Sequence, residues 1–380
     1  MKKDKEKKKV QWQQYIAMAF FMLIGAACGV LMIQYMDQSV QSDTSLGEEL
    51  FSLACLFVGM YVAIFVQLII HEAGHFVFGL LSGYKFSSFR IFSFMWVKED
   101  EKIRLRRLSI AGTGGQCLMS PPDMIDGKIP LVLYNLGGSL MNVIASVIFL
   151  VLYLVFKDVP FVSVMLLMCI IIGVVIAIMN GVPLRMGTVD NDGYNAFSLT
   201  RNREAMRSFW IQMKVNELLS KGIRLKDMPE EWFTVPSDEA MKNSMVVVMG
   251  IFACNRLMDK QDFREADKLM EHIMSIESGM VGLHRSLMVC DRIYIELITE
   301  NRKDVIEGML TKEQKKFMKQ MKKFPSVLRT EYAIALLHDK DAENAEKIKL
   351  LFEKSAKSYP YQNDVESERE LMEIASKIHI

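Results

Sequence analysis

Cysteine is scarce in this chain of 380 residues. There are six, Cys28, Cys55, Cys117, Cys169, Cys254 and Cys290, and no Cys-x-x-Cys pair among them. That spacing excludes a disulfide framework and a cysteine-ligated metal, and it fits a reducing compartment for the C-terminal half. An excess of one charge is missing as well. The net charge of +1 gives no electrostatic basis for a nucleic-acid partner. What charge there is avoids the first half: 30 of the 46 basic and 30 of the 45 acidic residues follow position 200. The first half therefore reads as membrane and the second as soluble.

Four segments reach the roughly 20 apolar residues that a bilayer requires. They run over residues 15–36, 51–81, 133–156 and 161–182. The first follows a lysine-rich start but no small-x-small cleavage site, so an uncleaved anchor is expected. Residues 37–50 hold four acids and no base, whereas 84–130 hold eight basic residues. The positive-inside rule then puts both termini in the cytosol of a multi-pass cell-membrane protein, with residues 1–14 as a basic cytosolic tail.

Histidine is as rare as cysteine, yet two of the six sit in one motif, His71-Glu72-Ala73-Gly74-His75, directly after the apolar run 51–70. On a helix, residues four apart share a face, so both imidazoles can hold one zinc ion. Glu72 beside them can act as a general base. At a membrane helix this points to peptide-bond hydrolysis in or near the bilayer. A catalytic zinc needs a third protein ligand. Asp190 and Asp192 follow the end of the fourth span, and either can supply an oxygen or serve as an ordinary turn residue before glycine.

Segment 84–130 has strand character. Residues 86–97 are rich in aromatic and β-branched side chains, 98–101 read as a turn, and 103–106 alternate apolar with basic. A cytosolic β-hairpin is expected, either a plain surface hairpin or one with its basic side toward lipid headgroups. From Thr200 the pattern turns helical. Thr200 reads as a helix cap, Gly222 as a stop, and Pro229 and Pro236 as linker marks. Helical spacing recurs over 238–258, 262–276, 280–300, 311–323, 326–338, 341–358 and 364–378. Phe352 followed by Pro360 is similar to the end of a tetratricopeptide unit, although the period is irregular. The division expected is a membrane-embedded domain over 15–199 and a cytosolic all-helical domain over 200–380.

Three motifs in order resemble the site-2 protease family of intramembrane zinc metalloproteases over roughly residues 50–200. They are His71-Glu72-Ala73-Gly74-His75, then Asn180-Gly181-Val182-Pro183, then Asp192-Gly193. A fourth stretch, Gly137-Gly138-Ser139-Leu140-Met141-Asn142, looks like the family's glycine-rich turn into the intervening helix. No stretch resembles a PDZ or CBS domain. The resemblance implies zinc on His71, His75 and Asp192, Glu72 as catalytic base, and Asn142, Asn180 and Pro183 lining the site or holding substrate backbone. It implies as substrate a single-span protein or signal-peptide remnant cut near its cytosolic end. The helical tail would dock substrates or a protein regulator. Two other readings stay open. One is a membrane scaffold with a vestigial site that acts through its tail. The other is a different membrane metalloprotease, whose third ligand is a glutamate on a later helix.

Overall fold

The computed structural model describes residues 18–19, 22, 25–35, 45–99, 102–109, 114–184 and 191–378. The chain forms two compact units. One comprises Met1–Lys85 with Pro130–Arg201, the other Phe86–Ile129 with Asn202–Ile380.

The first unit is helical: α1 (Gly25–Tyr35), α2 (Leu46–Leu81), α3 (Leu131–Phe156), α4 (Pro160–Gly181) and α5 (Asp192–Arg201). A capping box starts α2. Ser45 accepts from the Glu48 amide, and the Glu48 carboxylate accepts from the Ser45 amide at 2.9 Å, with Glu48 and Glu49 favourably placed at the positive end of the helix dipole. Among the described residues, α2, α3 and α4 are long and apolar enough to cross a membrane. The expected span over 15–36 lies partly outside them. Its described part, α1, packs Cys28 and Met32 against Leu56, Ala63, Met168 and Ile172. Large apolar side chains such as Val58 and Tyr61 on α2 and Val151 and Val155 on α3 stay exposed, as expected of helices that face lipid.

In lipid there is no hydrophobic drive between helices, so close backbone approach holds them together. A Cβ on Gly137 would lie 2.7 Å from the Gly74 carbonyl oxygen and 2.9 Å from the Phe78 Cβ. Only glycine allows α2 and α3 to cross there. This corrects the expected turn at 137–142: the whole stretch lies inside α3, and its glycines serve packing rather than chain reversal.

The second unit combines a four-stranded sheet with the C-terminal helices. The strands are β1 (Lys85–Ile91), β2 (Phe94–Glu99), β3 (Lys102–Arg107) and β4 (Gly115–Ser120), in the order β3-β2-β1-β4. The expected single hairpin is therefore part of a larger sheet. The apparent long strand 86–97 breaks at Phe92, which takes the left-handed conformation (φ 50°), a rare choice for an aromatic residue that no turn signal announces. β2 pairs antiparallel with both β1 and β3. Met95 and Val97 point into the main helical core. On the opposite face Trp96 stands across from Leu105 and Phe94 from Arg107, with Phe94, Trp96, Ile103 and Leu105 all exposed.

The helices are α6 (Arg203–Ser220), α7 (Val247–Asp259), α8 (Phe263–Ser275), α9 (Gly282–Ile298), α10 (Lys303–Met309), α11 (Lys312–Gln320), α12 (Pro325–Ala333), α13 (Ala342–Ala356) and α14 (Gln362–Ile378). Asn202, not Thr200, caps α6 by accepting from the Ala205 amide at 3.0 Å. Thr200 lies inside α5 and turns its hydroxyl back onto the Phe197 carbonyl. The segment around Pro229 and Pro236 holds short 3-10 turns. α10 was not expected, because seven residues are too few to show a period. The expected helix over 326–338 ends as a π-turn at Ile334–His338.

Candidate metal centre

His71, Glu72 and His75 lie on α2, within one turn of the Gly74 crossing, and all three are buried. Asp192 opens α5. The Nε2 atoms of His71 and His75 are 3.2 Å apart. The Asp192 Oδ2 atom is 3.1 Å from the first and 3.3 Å from the second. For bonds of 2.0–2.1 Å, the edge of a tetrahedron around zinc is about 3.3–3.4 Å. The three atoms thus describe one face of such a tetrahedron to within a few tenths of an ångström.

Hydrogen bonding on the far side of each ring sharpens this. His71 Nδ1 is 2.8 Å from the Asn142 Oδ1, and His75 Nδ1 is 2.8 Å from the Tyr134 carbonyl oxygen. A carbonyl accepts only, so His75 must donate from Nδ1, and Asn142 is held in the same sense. The Asn142 amide nitrogen donates to the Gln67 carbonyl at 2.9 Å and to its side-chain oxygen at 2.7 Å, which leaves the Asn142 oxygen to accept from His71. Neutral imidazoles protonated at Nδ1 then point two Nε2 lone pairs and a carboxylate at one another. That convergence needs a cation, and a divalent metal suits the donor set of two imidazoles and one carboxylate.

The network is braced across three helices. Gln67 Nε2 donates to the Cys169 carbonyl on α4 at 2.8 Å, so a relay of hydrogen bonds runs from His71 through Asn142 and Gln67 to α4. Gly138 leaves room for the His71 ring, since a Cβ there would lie 2.5 Å from the ring Cε1. Asn191 places Asp192. Its side-chain oxygen accepts from the Tyr194 amide at 2.9 Å, capping α5. Its nitrogen donates to the carbonyls of Met179 and Val182, both at 2.6 Å, closing the end of α4 onto the start of α5.

Of the residues singled out in the sequence, His71, His75 and Asp192 converge, and Glu72 is the residue adjacent to His71. Asn142 sits behind His71 with both ends of its amide engaged. Asn180 lies in the last turn of α4 and donates to the Ile176 carbonyl at 3.1 Å. Pro183 follows directly after α4, where Val182 is extended. Asp190 falls outside the described residues. Sequence reasoning missed Gln67, Tyr134 and Asn191. Gln67 carried a signal: it is an amide in an otherwise apolar span, one turn before His71, and polar groups at membrane depth usually serve function.

The family model described as peptidase family M50 matches residues 59–331. No curated protein and no solved structure matches the chain. The matched residues run through the His-Glu-x-x-His helix, Asp192 and most of the helical tail.

Proposed function

Because this chain belongs to peptidase family M50, the site-2 protease family of membrane metalloproteases, we propose that it is a zinc endopeptidase. In this reading it cuts a membrane-spanning protein or signal-peptide remnant near its cytosolic end. The family is zinc-dependent in general. The observation that carries the reading is the meeting of His71, His75 and Asp192, whose ligand atoms all lie within 4.8 Å of one another. A zinc ion held by these three side chains supplies Lewis acidity toward the scissile carbonyl. Glu72 takes a proton from the attacking water and returns it to the leaving amine. Asn142 and Gln67 keep the His71 ring in register. Asn180 and Pro183, at the end of α4, are the positions assigned to the substrate backbone. A peptide bond within a membrane helix is shielded by its own hydrogen bonds, so the substrate must unwind locally before it is cut.

Purified full-length protein in detergent, mixed with a single-span test protein, should yield cleavage that a chelator abolishes and stoichiometric zinc restores. Cleavage that persists in zinc-free protein would reject the reading. A membrane topology with both termini cytosolic, read from the basic residues, belongs to the same proposal, as does docking of a protein regulator on the helical tail.

The exposed sheet face is proposed to meet lipid. Phe94, Trp96, Ile103 and Leu105 share it with Arg107, and aromatic rings among basic side chains suit the headgroup region. In vesicles of brominated lipid, the fluorescence of a variant that keeps only Trp96 of the four tryptophans should be quenched, while variants that keep only Trp210 or only Trp232 retain theirs. Equal quenching of all three, or of none, would count against it.

A further inference from the structure

A cavity of about 300 Å³ lies within the C-terminal helical unit, lined from α6, α7, α9, α12 and α14. We propose that it binds a protonated α-amino group together with its neighbouring carbonyl, the chemistry shared by a peptide N-terminus and an amino-acid amide. This is independent of the proposed peptidase site.

The charges in the wall do not balance. Four carboxylates, Asp259, Asp291, Asp364 and Glu368, face two guanidiniums, Arg224 and Arg329. Both guanidiniums are already engaged. Arg224 binds Asp259 and also Glu370 at the rim. Arg329, 1% exposed, donates from Nε to Glu368 at 2.8 Å and from one terminal nitrogen to Asp291. Asp364 has no hydrogen bond or ion pair among the described residues. Burial pushes its carboxyl up to about 7, and the carboxylates of Glu368 and Asp259 add to the rise. A cation bound beside it would favour the ionised form.

Two buried polar atoms point to the same ligand. Asn363 is 4% exposed, and its nitrogen donates to the Ile223 carbonyl, yet its Oδ1 has no partner. It is an open acceptor in the same cavity wall as Asp364. Arg329 Nη1 is equally buried and without a partner, an open donor. Buried polar atoms left unpaired are costly, which suits groups that a ligand completes. Asp364 and Glu368 are one helical turn apart on α14, and Glu368 holds Arg329. An ammonium at Asp364 and Asn363 can therefore belong to the same molecule as an oxygen that accepts from Arg329. The volume is at the low end for ligand pockets, enough for about one residue, and Phe252 and Phe324 offer an apolar wall to its side chain.

The test uses the full chain in detergent and follows unfolding by tryptophan fluorescence. Trp210 and Trp232 pack edge to face in this unit, 5.5 Å between centroids, and report on it. Leucinamide at ten times its Kd should raise the melting temperature by about 3–6 °C. N-acetyl-leucinamide, which lacks the charge, should leave it unchanged, and Asp364→Asn should lose the leucinamide response. A Leu-Ala-Ala tripeptide that shifts the melt as strongly identifies a peptide end as the ligand. A shift by leucinamide alone identifies a free amine. No shift with either, or an equal shift with the acetylated compound, overturns the proposal, and that comparison needs no variant.

Discussion

Glu72→Gln is expected to keep about one zinc per chain and to cut peptide cleavage by about 10²–10⁴-fold, the range a positioned general base contributes. Glutamine preserves the size and hydrogen-bonding capacity of the side chain but cannot take up a proton. Glu72 is buried beside His71 and is not one of the three converging ligand atoms, so its loss should not empty the site. Metal analysis and a cleavage assay on the same preparation separate the two roles. Zinc-replete Glu72→Gln with undiminished cleavage would remove Glu72 from the chemistry. Loss of zinc together with activity would make it a ligand or a structural support.

Asp192→Ala should be as severe by a different route. Removing the carboxylate leaves two imidazole Nε2 atoms 3.2 Å apart, with no negative charge to offset a cation. Zinc content should fall from about one per chain to near zero, and cleavage with it. A variant that keeps its zinc would move the third ligand to Asp190 or to a glutamate of the tail, and with it the identity of the active site. Asp192→Glu is the useful companion. The longer side chain starts from an α5 that Gly193 seats against Gly181 at the end of α4, so partial zinc retention with poor cleavage is expected.

Much of the site was legible because its chemistry leaves a spacing. Two histidines four apart on a helix, and an aspartate after the last span, are visible without coordinates. The membrane helices were legible too, to within a few residues at most ends, because length and apolarity decide them. What stayed hidden depends on contacts between distant parts of the chain. The role of Asn142 follows from Gln67, 75 positions away, which takes both protons of its amide. The Gly137-Gly138 pair reads as a turn in sequence because glycine permits both a turn and a close crossing, and only the approach of α2 selects the second. Phe92 hid the break between β1 and β2, since an aromatic residue in the left-handed region follows no propensity. The cavity left no sequence signal, because its charges come from four helices and from Arg224 in the segment after α6.

His71 and Asp192 are 121 positions apart in the chain. An ion held between them would act as a cross-link. Closing a loop of about 100 residues removes on the order of 4–5 kcal/mol of chain entropy from the unfolded ensemble. Binding energy and folding energy would then be coupled, as they are for structural metals. All six cysteines are free, so no covalent bridge competes for this task. In a compartment that keeps thiols reduced, the ion would be a staple that needs no oxidation, and the reactive centre and the mechanical fastening of the helices would be the same three side chains.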